Sequence, residues 1–192
     1  MIDFTYSHLL FGIAILAVIL IHLRKQNRSF WYLLFFSVFW IYLLFVASVI
    51  VFPIAPLSKE HLFRPNLNLI PFYFGTCDML WLCLQNVMGN ILLTMPFGFG
   101  ISFVSRVKLK DVLRMSFLVG TVFELIQLVI SFVFRSPFRA VDINDVILNA
   151  TGVLLGYGVF RIFGWLYLYT TQRFAIHNKY IFAYIYDVVR QP

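Results

Sequence analysis

Glu124 is the residue in this sequence that is hardest to explain without chemistry. It interrupts an apolar run from Val112 to Phe134, and a carboxylate at the centre of a membrane helix costs roughly 2.5–3.5 kcal/mol by insertion scales. Gln127 follows three residues on, so the two share a helix face. Helical steps extend that face through Ser116, Gly120 and Ser131. A second stripe runs Cys83, Asn86, Asn90 and Thr94, and a third runs Asp142, Asp145, Asn149, Gly152 and Gly156. Burial raises a carboxyl pKa, so Glu124 is the candidate general acid or base. Ionised, it would instead bind a cationic or donor-rich ligand. Carboxamides both donate and accept, which suits them to a polar headgroup. Asp142 and Asp145 are the pair that would hold a divalent cation through oxygen, but two ligands do not define a metal site and none is assigned. No cofactor is expected. The chain has no HExxH and no CxxC, and no activated serine or cysteine is recognised. The plainer account of each amide is interhelical hydrogen-bond glue, contributing about 0.6 kcal/mol.

The elements that position these residues follow from composition. Of 192 residues, 61% are hydrophobic and 12% are charged, where a soluble domain carries about 25% charged residues. A mean hydropathy of +0.88 makes lipid the solvent. A bilayer core of about 30 Å needs about 20 apolar residues per helix, and five stretches qualify: 4–23, 30–52, 79–104, 112–134 and 143–168. The expected fold is therefore an all-α, polytopic membrane bundle of five transmembrane helices. The first is read as a retained helix, since no charged region precedes it and no small-residue cleavage pattern follows.

Charge sets the expected orientation. Arg24, Lys25, Arg28, Arg106, Lys108, Lys110, Arg114, Arg161, Arg173, Lys179 and Arg190 fall on one side, 11 in all, against Lys59, Arg64, Arg135 and Arg139, 4 in all, on the other. The positive-inside rule then puts the N-terminus outside and the C-terminus in the cytoplasm. Arg161 is read as lying in the last turns of helix five. The net charge of +7 reports topology and contact with anionic headgroups. Membrane lipids are the expected partners and nucleic acid is not.

Depth follows from helical rise. Asn86 and Asn90 fall roughly 10 and 16 Å below the outer end of helix three, and Gln127 and Glu124 roughly 10 and 15 Å below that of helix four. The expectation is that Asn86 faces Gln127 and Asn90 faces Glu124. Arg139, Asp142 and Asp145 are placed at the outer rim, with Arg139 paired to one of the aspartates. Together these residues predict a polar cleft among helices three, four and five, open outward and closed near mid-membrane. Residues 53–78, rich in proline and aromatics, are expected to dip back toward the membrane. Residues 170–192 are read either as an interfacial amphipathic helix or as a frayed tail. Cys77 and Cys83, if on one helix, are about 9 Å apart by rise, too far for a disulfide, and are read as free thiols. The four histidines receive no role. The chain divides into a two-helix segment (1–60), a three-helix region with the outer loop (61–168) and the tail (169–192).

Five ordered blocks resemble the VanZ-like family of bacterial membrane proteins. They are Asn68-Leu69-Ile70-Pro71-Phe72, Asn86-Val87-Met88-Gly89-Asn90 with Pro96-Phe97-Gly98, Phe123-Glu124-Leu125-Ile126-Gln127, Arg139 with Asp142-Ile143-Asn144-Asp145, and Asn149-Ala150-Thr151-Gly152 to Gly156-Tyr157. The resemblance spans about residues 66–158. It implies a multi-pass protein of the bacterial cell membrane, associated with resistance to teicoplanin-type glycopeptides. The expected site is Asn68, Asn86, Asn90, Glu124, Gln127, Arg139, Asp142, Asp145 and Asn149. Three functions compete: binding a lipid-linked cell-wall precursor or a lipophilic glycopeptide, an enzyme acting on a lipid headgroup through Glu124, and a structural membrane subunit.

Overall fold

The structure is a computed structural model, and it describes residues 1–54, 66–73, 79–135, 140–174 and 179–190. Among the described residues, five helices are long and apolar enough to cross a membrane: α1 (Tyr6–Lys25), α2 (Phe30–Val51), α3 (Leu80–Val104), α4 (Leu109–Phe134) and α5 (Ile143–Arg173). A short α6 (Ile181–Val189) follows. Large apolar side chains such as Phe11, Val18, Val38, Phe117, Val133 and Ile162 stand on the exterior, as expected where the surface is solvated by lipid tails rather than water.

The core is the α3–α5 contact. Small residues let the two backbones touch: a Cβ added at Gly156 would overlap the Met95 carbonyl oxygen, and one at Gly98 the Val153 carbonyl oxygen. The GxxxG of α5 is thus a packing device. On the other flank of α5, a Cβ at Gly120 of α4 would lie 2.6 Å from the Val146 oxygen. Pro96 sits inside α3, where it removes a backbone donor. Close by, Tyr42 Oη of α2 donates to the Leu93 carbonyl at 2.7 Å. Trp40 Nε1 donates to the Gly12 carbonyl at 3.0 Å, joining α1 to α2.

At one end of the bundle, Phe35, Phe99, Phe103, Phe160 and Phe163 pack ring against ring. The tail helix α6 docks there. Val188 and Val189 join the buried cluster, and Tyr184 Oη donates to the Phe103 carbonyl. Burial pushes the Tyr184 phenol up to about 12, so it stays protonated and keeps donating. Arg161 is level with Phe103 at the end of α3, yet α5 runs on to Arg173, so Arg161 is not in its last turns.

The opposite end departs from a plain helix bundle. Two three-residue strands, β1 (Asn66–Asn68) and β2 (Ala140–Asp142), pair in parallel with Asn68 opposite Asp142. They lie within the bundle rather than above it, because the Asp142 N–H donates to Glu124 Oε2 at 2.9 Å. Glu124 is about 15 Å down α4 from Phe134 by helical rise. Thus α5 starts deep. This corrects the rim placement of Asp142 and Asp145: β2, which leads directly into α5, sits at the level of Glu124. It also explains the length of α5, about 46 Å for 31 residues against a core of about 30 Å. Non-helical backbone at membrane depth needs its polar groups satisfied by protein, and here the β1–β2 pairing and the bond from the Asp142 N–H to Glu124 supply partners.

Candidate functional site

Asp142 is the pivot of the deep segment. Its Oδ1 caps α5 by accepting from the Asn144 N–H at 2.8 Å, an arrangement suited to the N-terminal end of a helix dipole. Asn68 Nδ2 donates to both carboxylate oxygens, at 3.0 and 3.1 Å, and to the Tyr73 carbonyl at 2.8 Å. Asn144 is 2% exposed. Its Oδ1 accepts from the Phe72 N–H at 2.6 Å and its Nδ2 donates to the Tyr73 carbonyl at 2.7 Å. Two asparagine side chains therefore satisfy the backbone of segment 66–73, which has no helix of its own to do so.

One turn further along α5, Asp145 Oδ1 accepts from Asn90 Nδ2 at 2.7 Å and from Asn86 Nδ2 at 3.2 Å. Both bonds end on the same oxygen. Below them Thr94, fully buried, reaches the Asn149 carbonyl at 2.9 Å through Oγ1. The α3 stripe thus meets the α5 stripe, rather than the α4 stripe as depth matching predicts. Asn86 and Asn90 share Asp145, and Glu124 meets the start of α5. The mispairing has one cause, since a helix beginning at mid-depth brings its acidic turn level with Asn90.

These groups surround a cavity of about 440 Å³. Asn86, Asn90, Gln127, Asp142, Asp145 and Asn149 line it, joined by Gln85, Val49, Ile50, Leu93 and Phe123 among others. The cleft therefore includes α2 as well as the three helices expected. Asn149 is 2% exposed, and its Oδ1 is buried without a hydrogen-bond partner. Of the expected site residues, Asn68 and Glu124 do not line the cavity, and each holds Asp142 from behind. Arg139 and its expected pairing lie outside the described residues. Asp142 and Asp145 belong to no group of three or more metal-ligating side chains among the described residues.

Gln85 and Asn144 were not singled out from sequence. Each is a polar residue beside a predicted one, off the stripe by one position, and only the facing backbone reveals its use. Cys83 is disulfide-bonded, contrary to the free-thiol reading. α3 begins at Leu80, so the rise argument, which needs both cysteines on one helix, does not apply. Cys77 lies outside the described residues.

Five apolar helices among the described residues, four of them lining a polar cavity, define a multi-pass, α-helical membrane protein. The family model described as VanZ/LLP1 matches residues 39–164, which takes in most of α2 and all of the cavity lining. The chain belongs to the VanZ/LLP1 family. Comparison with curated proteins and with solved structures gives no match.

Proposed function

We propose that the protein binds the polar headgroup of a lipid-linked cell-envelope ligand, or a lipophilic glycopeptide, in this cavity, and thereby contributes to teicoplanin-type glycopeptide resistance at the bacterial cell membrane. The observation that carries this reading is Asn149 Oδ1. An asparagine acting only as glue spends its acceptor on a neighbouring helix, and a buried acceptor without a donor costs about 1–3 kcal/mol. Asn149 lines the cavity, so a ligand N–H or O–H that reaches this acceptor would supply the donor that the protein does not. Asp145 adds a second oxygen not used by Asn86 or Asn90. Val49, Ile50, Leu93 and Phe123 supply apolar wall for the part of the ligand nearest the lipid. The enzymatic alternative draws no support from Glu124, whose carboxylate is held by the Asp142 N–H and does not face the cavity.

In this reading the cavity opens outward, with the N-terminus outside and the C-terminus cytoplasmic. The bias of basic residues supports it. So does the disulfide at Cys83, in the first turn of α3 at the cavity end, since disulfides persist in oxidising compartments. Cysteine labelling of intact cells is expected to modify Ser58→Cys and spare Lys108→Cys, and the reverse pattern inverts the assignment.

The binding test uses purified protein in neutral detergent with teicoplanin, and separately with an undecaprenyl-linked wall precursor. At least one should raise the melting temperature saturably, and Asn149→Leu, which removes the orphan acceptor at similar size, should weaken that shift at least tenfold. Wild-type protein indifferent to both probes would sink the proposal.

A further inference from the structure

A second pocket, of about 450 Å³, opens at the end of the bundle opposite the cavity. It lies where α2 begins, α3 ends and α6 docks, and its wall includes Arg28, Arg106, Ser102, Ser105, Tyr184 and Asp187. Two guanidiniums against one carboxylate leave the lining at net +1. The Arg28 guanidinium stands 5.0 Å from the centroid of the Tyr32 ring, a cation–π contact that holds it at the mouth. At the floor, Ser102 is 8% exposed and its Oγ is buried with no hydrogen-bond partner. The first turn of α2 contributes Tyr32 to the wall, its N–H capped by Ser29 Oγ at 3.2 Å, and it contains no acidic residue to oppose an anion. Two arginines and a spare buried hydroxyl donor, with no acidic residue in the adjoining turn of α2, are complementary to phosphate oxygens.

The geometry points to a binding site here for the phosphate of an anionic phospholipid headgroup. A lipid is favoured over a soluble anion because α2 starts at this pocket with an exposed apolar face, Phe30, Leu34, Val38, Ile41 and Phe45. Their spacing of three and four residues makes a single stripe along which acyl chains can lie. Basic pockets between membrane helices on the cytoplasmic side take anionic headgroups by the same chemistry. The site would tie α6, which supplies Tyr184 and Asp187, to the lipid at that face. The inference is independent of the cavity function, because the two sites share no lining residue.

The test uses the full chain in neutral detergent, titrated with phosphatidylglycerol, with phosphatidylcholine or with inorganic phosphate, and read by melting temperature and by lipid retained in native mass spectrometry. Phosphatidylglycerol is expected to bind saturably and phosphatidylcholine is not. Arg28→Gln with Arg106→Gln should weaken phosphatidylglycerol binding roughly 25-fold, at about fivefold per arginine near a membrane surface. Competition by millimolar inorganic phosphate would assign the same site to a soluble phosphate. No phosphatidylglycerol binding, equal binding of the two lipids, or full binding by the double variant would overturn the proposal. If the double variant does not purify, Asp187→Asn supplies the opposite sign, an expected gain of about fivefold, and unchanged affinity counts against the site. Teicoplanin or precursor binding in the cavity is expected to be the same in all these variants, so the two proposals fail separately.

Discussion

Asp145→Asn is expected to weaken cavity-ligand binding about ten- to a hundredfold, and with it any teicoplanin resistance the protein confers, while leaving insertion and folding intact. The substitution keeps an oxygen that can accept from Asn86 or Asn90, so the α3–α5 contact made at 3.2 and 2.7 Å survives in part. Helix packing through Gly98 and Gly156 does not involve the side chain at all. What is lost is charge. A hydrogen bond to a charged group contributes about 1.5–3 kcal/mol net, and each 1.4 kcal/mol is tenfold in affinity. The expected loss is therefore about ten- to a hundredfold in apparent affinity. Susceptibility testing of cells expressing the variant, beside its melting temperature in detergent, reads function and fold separately. A variant that expresses poorly would make Asp145 a structural residue, and one that binds as well as the wild type would remove it from the site.

The five spans were legible in the sequence because lipid selects length and apolarity, both of which are local. So were the polar stripes, since a spacing of three or four residues fixes a helix face whatever that face meets. Six of the nine expected site residues line the cavity for that reason. Pairing across helices was not legible. Depth arithmetic assumes that every helix starts at an interface, and α5 does not. Nothing local in Ala140-Val141-Asp142 separates a rim loop from a strand 15 Å down. Asp142 has the residue type of an N-cap, which marks where a helix starts along the chain but not how deep. The β1–β2 pair was equally hidden, because three residues are too few to show a period and the partner strand is more than seventy positions away. The docking of α6 depends on Val189 meeting Gly164 and on Val188 entering the buried cluster, a long-range fit that amphipathic patterning alone does not specify.

Glu124→Leu is expected to destabilise the protein by roughly 3 kcal/mol, the top of the range for stranding a buried backbone donor. Read from sequence, Glu124 is the leading ligand group or general acid, and its Gln variant should fold and lose function. The geometry leads elsewhere. The side chain is 5% exposed and Oε2 takes the Asp142 N–H, which fixes the depth at which β2 gives way to α5. Leucine has similar volume and no acceptor, so the Asp142 N–H would be left in a low-dielectric interior with nothing to bind. Glutamine keeps an amide oxygen at the same reach. Glu124→Gln is therefore expected to retain most of the stability and most of the ligand affinity, whereas Glu124→Leu loses stability first and affinity as a consequence. Hydrogen exchange gives the discriminating readout: the Asp142 amide should be protected in the wild type and the Gln variant, and should exchange much faster in the Leu variant. A Gln variant with wild-type melting temperature and no ligand binding would return Glu124 to the site, because only a role for its charge in the ligand complex separates those two measurements.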